Sequence, residues 1–410
     1  MSVLFDRIRP LYSLPAFRRL LVLNLLLGFS TSFVMPFMSL FGTLEVRMSL
    51  FLFGAFMTAN AASGILIATT LAHYSDVHFS RRTMLLLGSL SGALGYAGYA
   101  FFRSFVPLVL IGSLLLGTAS VTFSQLFAYA RELLSRSDID PSQSALYINI
   151  FRMFIALAWT VGPAMASLVM LRFSFRGLFL CTTADLLLFA YVVWRGVPDE
   201  APRARLVDES SLRSLLKLLG RPDVLCHFAA FVLITASTTI SMMNLPLLIV
   251  STLRGKEADV GIAYCVAPLF ELPFMLYFGW LATKYLPARI IRGGMLISLA
   301  YYTSLTFARA PWHVYVCQGL SAAATAVISG VAITYFQGHL PRHPGTATNV
   351  YANAQRIGST AGYFLFGALA LRLGYRGVFD ACAGFAVLAL ALMLVPVRAS
   401  DGSPSPVALP

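Results

Sequence analysis

Apolar runs of 18 residues or more alternate with short charged breaks along almost the whole chain. Each run is long enough for one membrane-crossing helix, which needs ~20 residues at a rise of ~1.5 Å. Taken in order, the runs predict helices over 20–41, 50–72, 84–102, 106–130, 146–170 and 177–194, then over 224–250, 258–282, 290–308, 312–336, 348–371 and 377–396. One long polar stretch, 195–222, interrupts them, and its prolines and charges make a linker with a short amphipathic helix near Ser211–Leu219. The expected fold is an all-α membrane protein of twelve transmembrane helices in two six-helix bundles. The bundles are 1–194 and 223–397, joined by the cytoplasmic linker 195–222 and followed by a Pro/Ser-rich tail, 398–410, expected to be disordered.

The two halves read as duplicates. Residues 144–152, SALYINIFR, are echoed by 348–356, TNVYANAQR, so that Tyr147, Asn149 and Arg152 match Tyr351, Asn353 and Arg356 at a constant offset of 204. A second echo, MPFMSLF (35–41) against LPLLIVS (245–251), places a proline late in the first run of each half. Repeated halves around a midplane site are the architecture of secondary transporters.

Composition narrows the class. Of 410 residues, 58% are apolar and only 11% charged, against about a quarter charged in soluble chains. The net charge of +13 raises the question of nucleic acid, but the 30 Lys and Arg lie singly or in pairs between apolar runs, a pattern of topology signals rather than a phosphate-binding groove. With both termini and the linker on one side, that side collects 19 of the 30 and the opposite loops 9, with Arg152 and Arg356 inside runs. The asymmetry places both termini in the cytoplasm. The five cysteines, Cys181, Cys226, Cys265, Cys317 and Cys382, all fall within apolar runs and read as small hydrophobes without disulfides or metal. The basic, amphipathic N-terminus carries no cleavable-signal pattern.

Chemistry enters through polar residues inside the apolar runs. An ionisable group at bilayer depth costs ~2.5–3.5 kcal/mol on insertion scales, so it requires a partner, a cavity or a task. Glu271 lies halfway along its run between Phe270 and Leu272, where desolvation suits a proton carrier; a structural hydrogen bond to backbone is the rival reading. Arg152 needs an anionic or carbonyl partner, and Glu132 at the end of the preceding run is a candidate, as a static clamp or as a switch. Asp380 is expected to pair with Arg376 one turn away, whereas Asp185 lies deeper; both read as structural. Amides and aromatic faces suit a polar solute, and Asn60, Gln125, Asn244, Asn353 and Trp159 are the candidate substrate contacts, each with helix–helix hydrogen bonding as its bland alternative. His227 reads as an interface residue near a membrane end. No phosphate-binding glycine loop, metal-ligand cluster or nucleophile elbow is present, so no cofactor and no enzyme activity is expected, and the driving force falls to an ion or solute gradient.

The loop after the second run, AHYSDVHFSRR, has Asp76 five and six residues before Arg81 and Arg82. It resembles the loop motif G-x-L-A-D-x-x-G-R-(R/K) of the major facilitator superfamily, and GWLATKYLPARIIR occupies the matching place in the second half. Glycines of the motif are replaced by Ala72 and Phe79, and Ser80 takes its first basic position. The resemblance implies a gating role for Asp76, Arg81 and Arg82, against the plainer reading of a positive-inside loop. Further segments are similar to one branch, the bacterial sugar efflux transporters: TANAASG (58–64), QLFAYARE (125–132), RMFIALAWTVGP (152–163), LFELP (269–273) and YFQGHLPRHPGTAT (335–348). That resemblance implies the major facilitator fold, alternating access and export of sugars or glycosides in exchange for protons, and it supports an acid at Glu271. Glu271, Glu132 and Arg152 are the candidate coupling residues, and the two-bundle fold is expected as a monomer in the cell inner membrane of a bacterium. Asn244 where an acid is expected, Val34 in place of an amide, and the additional Arg356 and Asp185 depart from the branch's pattern and bear on the cargo more than on the fold. A multidrug or other amphiphile exporter of the same fold is the nearer alternative, and a membrane-embedded enzyme or receptor the remote one.

Overall fold

The computed structural model describes residues 15–136, 141–200, 220–339 and 344–396, without the side chains of 72–78, 141–146, 148, 149, 152, 339 and 344–346. Among the described residues every regular element is helical. In chain order these are α1 Pro15–Glu45, α2 Leu50–His78, α3 Arg81–Phe101, α4 Phe105–Arg136, α5 Pro141–Gly196, α6 Pro222–Thr252, α7 Glu257–Leu281, α8 Pro287–Thr306, α9 Pro311–His339 and α10 Pro344–Leu392. Nine of the helical stretches among the described residues are long and apolar enough to cross a membrane, and α8, with 20 residues, lies outside that set.

Two of the long helices are broken once. α5 carries non-helical angles at Ser174 (φ 53°, ψ −164°) and α10 at Gly374 (φ 66°, ψ 173°). The surrounding sequences match, LRFSFRG at 171–177 and LRLGYRG at 371–377. Where the apolar pattern leaves a short gap between predicted helices, the backbone thus reverses its conformation at a single residue, dividing each helix into two arms. The second arginine of each segment reaches the end of the third helix of its half. Arg176 stacks over the Phe101 ring at 4.6 Å, and Arg376 donates to the Thr306 carbonyl at 2.6 Å. A helix C-terminus offers unpaired carbonyls, which favours a guanidinium there.

The proline echo is also structural. In α1 a 3₁₀ turn, Met35–Phe37, contains Pro36 and a π segment follows at Phe41–Glu45; in α6, Pro246 precedes the π segment Leu248–Thr252. Proline removes an amide donor from the helix ladder, and the wider turn re-seats the chain. Both helices then end alike: Met48 N–H bonds to Gly42 O at 2.9 Å, and Gly255 N–H to Ile249 O at 2.8 Å. Each closure passes through an arginine with positive φ, Arg47 (61°) or Arg254 (56°), where glycine is the usual occupant.

The chain divides into two compact units, 1–206 with 249–268 and 207–248 with 269–410. The sequence reading placed the second bundle at 223–397; here the boundary falls within α6 and again within α7, at Pro268–Leu269. In the first unit, Phe17, Leu20, Leu23 and Leu27 of α1 are buried with Phe151 and Phe189 of α5 and Leu126 and Ala130 of α4. Gly261 of α7 joins this unit closely: a methyl there would stand 2.7 Å from Ser167 Oγ and 2.8 Å from Pro163 O. The second unit has its own glycine seam, with a methyl at Gly358 2.6 Å from Val232 O and one at Gly362 2.8 Å from Ala236 O. Such backbone-to-backbone approach is how apolar helices gain packing energy where lipid supplies no hydrophobic drive. Exposed leucines such as Leu66, Leu168 and Leu276 coat the outside, and all five cysteines are free.

Candidate functional site

The best-defined polar cluster lies in the first unit, where α3 begins. Ser80 caps α3, its hydroxyl accepting from Thr83 N–H at 3.2 Å, and it donates to the Asp199 carboxylate. An acid beside a helix N-terminus is favoured by the helix dipole. Arg81 donates to Gln125 Oε1 at 2.5 Å and lies 3.5 Å from Glu132 Oε2. Arg82 donates to the Trp194 carbonyl at 2.8 Å. Arg136 pairs with both Glu132 and Glu200, and Arg19 donates to Gly196 O at 2.7 Å. Three of the expected residues, Arg81, Gln125 and Glu132, are therefore brought together, and Arg82 stands beside them. With Arg81 and Glu132 each about a fifth exposed, solvent screening keeps the pair to about 1 kcal/mol or less. Asp76 and Arg152, expected in the same cluster, have side chains outside the described residues; the Glu132 carboxylate is held by Arg81 and Arg136. Asp199 and Glu200 were read only as linker charges, though an acid pair directly after an apolar run, in Val-Pro-Asp-Glu, is the signal that could have found them.

The other expected amides differ in how far they are committed to the protein. Asn60 donates to Tyr99 Oη at 3.2 Å and accepts from Ser113 Oγ at 3.5 Å, tying α2 to α3 and α4. Asn244 is fully buried, donates to the Tyr375 carbonyl at 2.7 Å beside the Gly374 break, and leaves Oδ1 without a partner. Asn353 and Trp159 are half-buried and make no hydrogen bond with the described residues. Glu271 is half-buried in α7 between Pro268 and Pro273, two residues that each remove an amide donor from the local ladder.

Asn353 belongs to a longer pattern in the first arm of α10. Asn349, Asn353, Arg356, Thr360 and Tyr363 follow the i, i+4, i+7, i+11, i+14 spacing of one helix face. The opposite face, Ala347, Val350, Ala354, Gly358 and Phe366, is buried. Arg356 is exposed, and its guanidinium has neither a hydrogen-bond acceptor nor a carboxylate among the described residues. The stripe was legible as polar positions at helical spacing in an apolar run, but only two of its five members, Asn353 and Arg356, drew notice.

Three residues read as structural find partners or fail to. His227 Nε2 donates to Val395 O at 2.9 Å and its Nδ1 meets Tyr335 Oη, an interface position as expected. Asp380 does not pair with Arg376: Asp380 accepts from Thr306 Oγ1 at 3.0 Å while Arg376 takes the Thr306 carbonyl, because the end of α8 offers both a hydroxyl donor and an unpaired acceptor. Asp185 keeps a buried Oδ2 without a partner.

The sequence and the fold are similar to those of known proteins. The profile of the Major Facilitator Superfamily matches residues 20–250 and again 227–408. Sugar efflux transporter A of Dickeya chrysanthemi is 32% identical over 373 residues, 91% of this chain and 92% of that protein. Sugar efflux transporter C of Escherichia coli K12 is 26% identical over 91% of this chain and 94% of its own length. Among solved structures, the nucleoside transporter NupG superposes with a TM-score of 0.80 at 14% identity, covering 93% of this chain and 99% of NupG, a likeness of fold. With relatives matched over nearly their full length and helices built to cross a membrane, this multi-pass chain is a transporter rather than an enzyme, and it belongs to the major facilitator superfamily, among the sugar efflux transporters.

Proposed function

We propose that the protein is a secondary active transporter that exports sugars or glycosides by proton antiport, cycling by alternating access between two six-helix bundles of twelve spans. Its place is the inner membrane, with both termini cytoplasmic, as a monomer. What carries the reading is the likeness, over nine-tenths of the chain, to proteins described as sugar efflux transporters. Two kinds of group support it. Asn353 and Trp159 have polar atoms uncommitted to the protein, as a sugar's hydroxyls and ring face require. Glu271 sets a carboxyl amid apolar residues, between two prolines of a continuous helix.

In this mechanism protonation of Glu271 and release of sugar are linked, so that each inward proton resets the site for the next sugar. Gln125, held by Arg81, sits where sugar contact and the Arg81–Glu132 cluster meet, and Arg82 with Asp76 completes the gating group. Asn60 and Asn244, whose amides already hold protein partners, shape the helices around the site. Inverted membrane vesicles loaded with acid test the coupling. Lactose or a glucoside is expected to accumulate inside and to leak away on adding an uncoupler. Glu271→Gln is expected to abolish accumulation while sparing sugar-for-sugar exchange; accumulation unchanged in that variant would refute the assignment.

A further inference from the structure

Arg356 is out of keeping with a neutral cargo. It lies 12 residues beyond Pro344, the start of α10. Counted instead from 348, where the predicted span begins, it is eight residues or about 12 Å inside the ~30 Å hydrocarbon core. A guanidinium there keeps its charge, and left in hydrocarbon it costs ~2.5–3.5 kcal/mol. No carboxylate forms an ion pair with it among the described residues.

The position on the helix says where the charge points. Arg356 sits on the stripe with Asn349, Asn353, Thr360 and Tyr363, opposite the buried seam of Gly358 and its neighbours. The apolar exposed positions of the same arm, Ile357, Phe364 and Leu371, lie on a neighbouring strip suited to lipid. In this row the amides of Asn349 and Asn353 and the Arg356 guanidinium are open to water and solute, while the Thr360 hydroxyl is buried. Asn353, one turn before Arg356, has an uncommitted amide, and Thr360, one turn after, has a buried hydroxyl without a partner. Three adjacent groups on one face therefore lack partners among the described residues. Of the two that are open, Asn353 suits a sugar hydroxyl and Arg356 an anion.

We propose that Arg356 makes the transporter selective for anionic saccharides, a sugar acid or a sugar phosphate, by pairing its guanidinium with the carboxylate or phosphate while Asn353, one turn away, contacts a ring hydroxyl. The inference rests on the sugar-export reading and sharpens its cargo. The guanidinium fork matches both anions in bidentate geometry. The departure of this chain from its branch at Arg356 then becomes a change of substrate rather than a change of fold.

Equilibrium binding to the purified full-length protein in lipid nanodiscs tests this, with glucuronate, glucose 6-phosphate, glucose and lactose as probes. At least one anionic sugar is expected to bind about tenfold or more tighter than glucose, the increment of one hydrogen-bonded charge. Preference for glucuronate alone would name a carboxylate cargo, and preference for glucose 6-phosphate alone a phosphate ester. Arg356→Gln is expected to lower affinity for the preferred anion to that of glucose, erasing the preference; Arg356→Lys, which keeps charge without the fork, should fall between. Melting curves of the same samples confirm that the variants are folded. Neutral sugars binding as tightly as both anions, or Arg356→Gln weakening all four alike, would overturn the selectivity while leaving sugar export standing. Binding of none of the four by folded protein would remove both.

Discussion

Ser174 and Gly374 perform one task with different side chains. Both hold φ near +60° with ψ near 180°, a region that a Cβ makes costly and glycine enters freely. Ser174→Gly should therefore raise stability by about 1 kcal/mol by relieving strain. Gly374→Ala should lower it by about 1 kcal/mol or more. A methyl at Gly374 meets nothing within 4 Å, so the loss would report backbone strain alone. Melting of the detergent-solubilised variants reads both changes, and equal Tm values for Ser174→Gly and the parent would deny the strain. The sequence located these breaks, because the apolar runs pause at 171–176 and 372–376, but not their form. In the second half a glycine marks the reversal; in the first a serine hides it, and no propensity rule assigns serine to that region.

At the scale of elements, apolar periodicity was a good guide to where helices lie and a poor one to which faces meet. A bilayer span is apolar all round, so its pattern does not single out a packing face; small residues do so only once a neighbour is known. Gly358 and Gly384 look equivalent in sequence. In the structure a methyl at Gly358 would press on the Val232 carbonyl at 2.6 Å, while one at Gly384 meets nothing within 4 Å. Gly358→Ala is expected to cost about 1–3 kcal/mol through overpacking of the α6–α10 seam. Gly384→Ala should be neutral, or stabilising by about 0.5–1 kcal/mol through helix propensity. Comparable melting of the two variants would contradict the seam. The Ser80–Asp199 contact was illegible for a related reason: the acid pair after the apolar run marks a candidate, but its partner lies 119 residues away and nothing local says that Asp199 returns to the start of α3.

The whole molecule was legible through its repeat. Matching Tyr, Asn and Arg at an offset of 204 announced two halves, and the structure adds matched breaks, matched π segments and matched arginine closures. Duplication does not fix where the halves divide, because contacts and not sequence echoes set that boundary. Residues 249–268 cluster with the first half although they follow the linker, and the second boundary falls inside α7 at Pro268–Leu269. This gives the two units unequal tolerance to cutting. A break after Leu206 leaves α6 and α7 covalently whole; residues 249–268 of the first unit then lie on the second fragment, but the α1–α4–α5 core and the α6–α10 seam each stay within one fragment. Co-expressed fragments 1–206 and 207–410 are therefore expected to restore sugar flux in vesicles, with neither active alone. A break between Pro268 and Leu269 puts two new charged termini at the middle of a span, at a cost of several kcal/mol, and flux should be lost. Flux from the second pair, or none from the first, would mean that α7 need not be continuous or that the linker does more than join two self-supporting units.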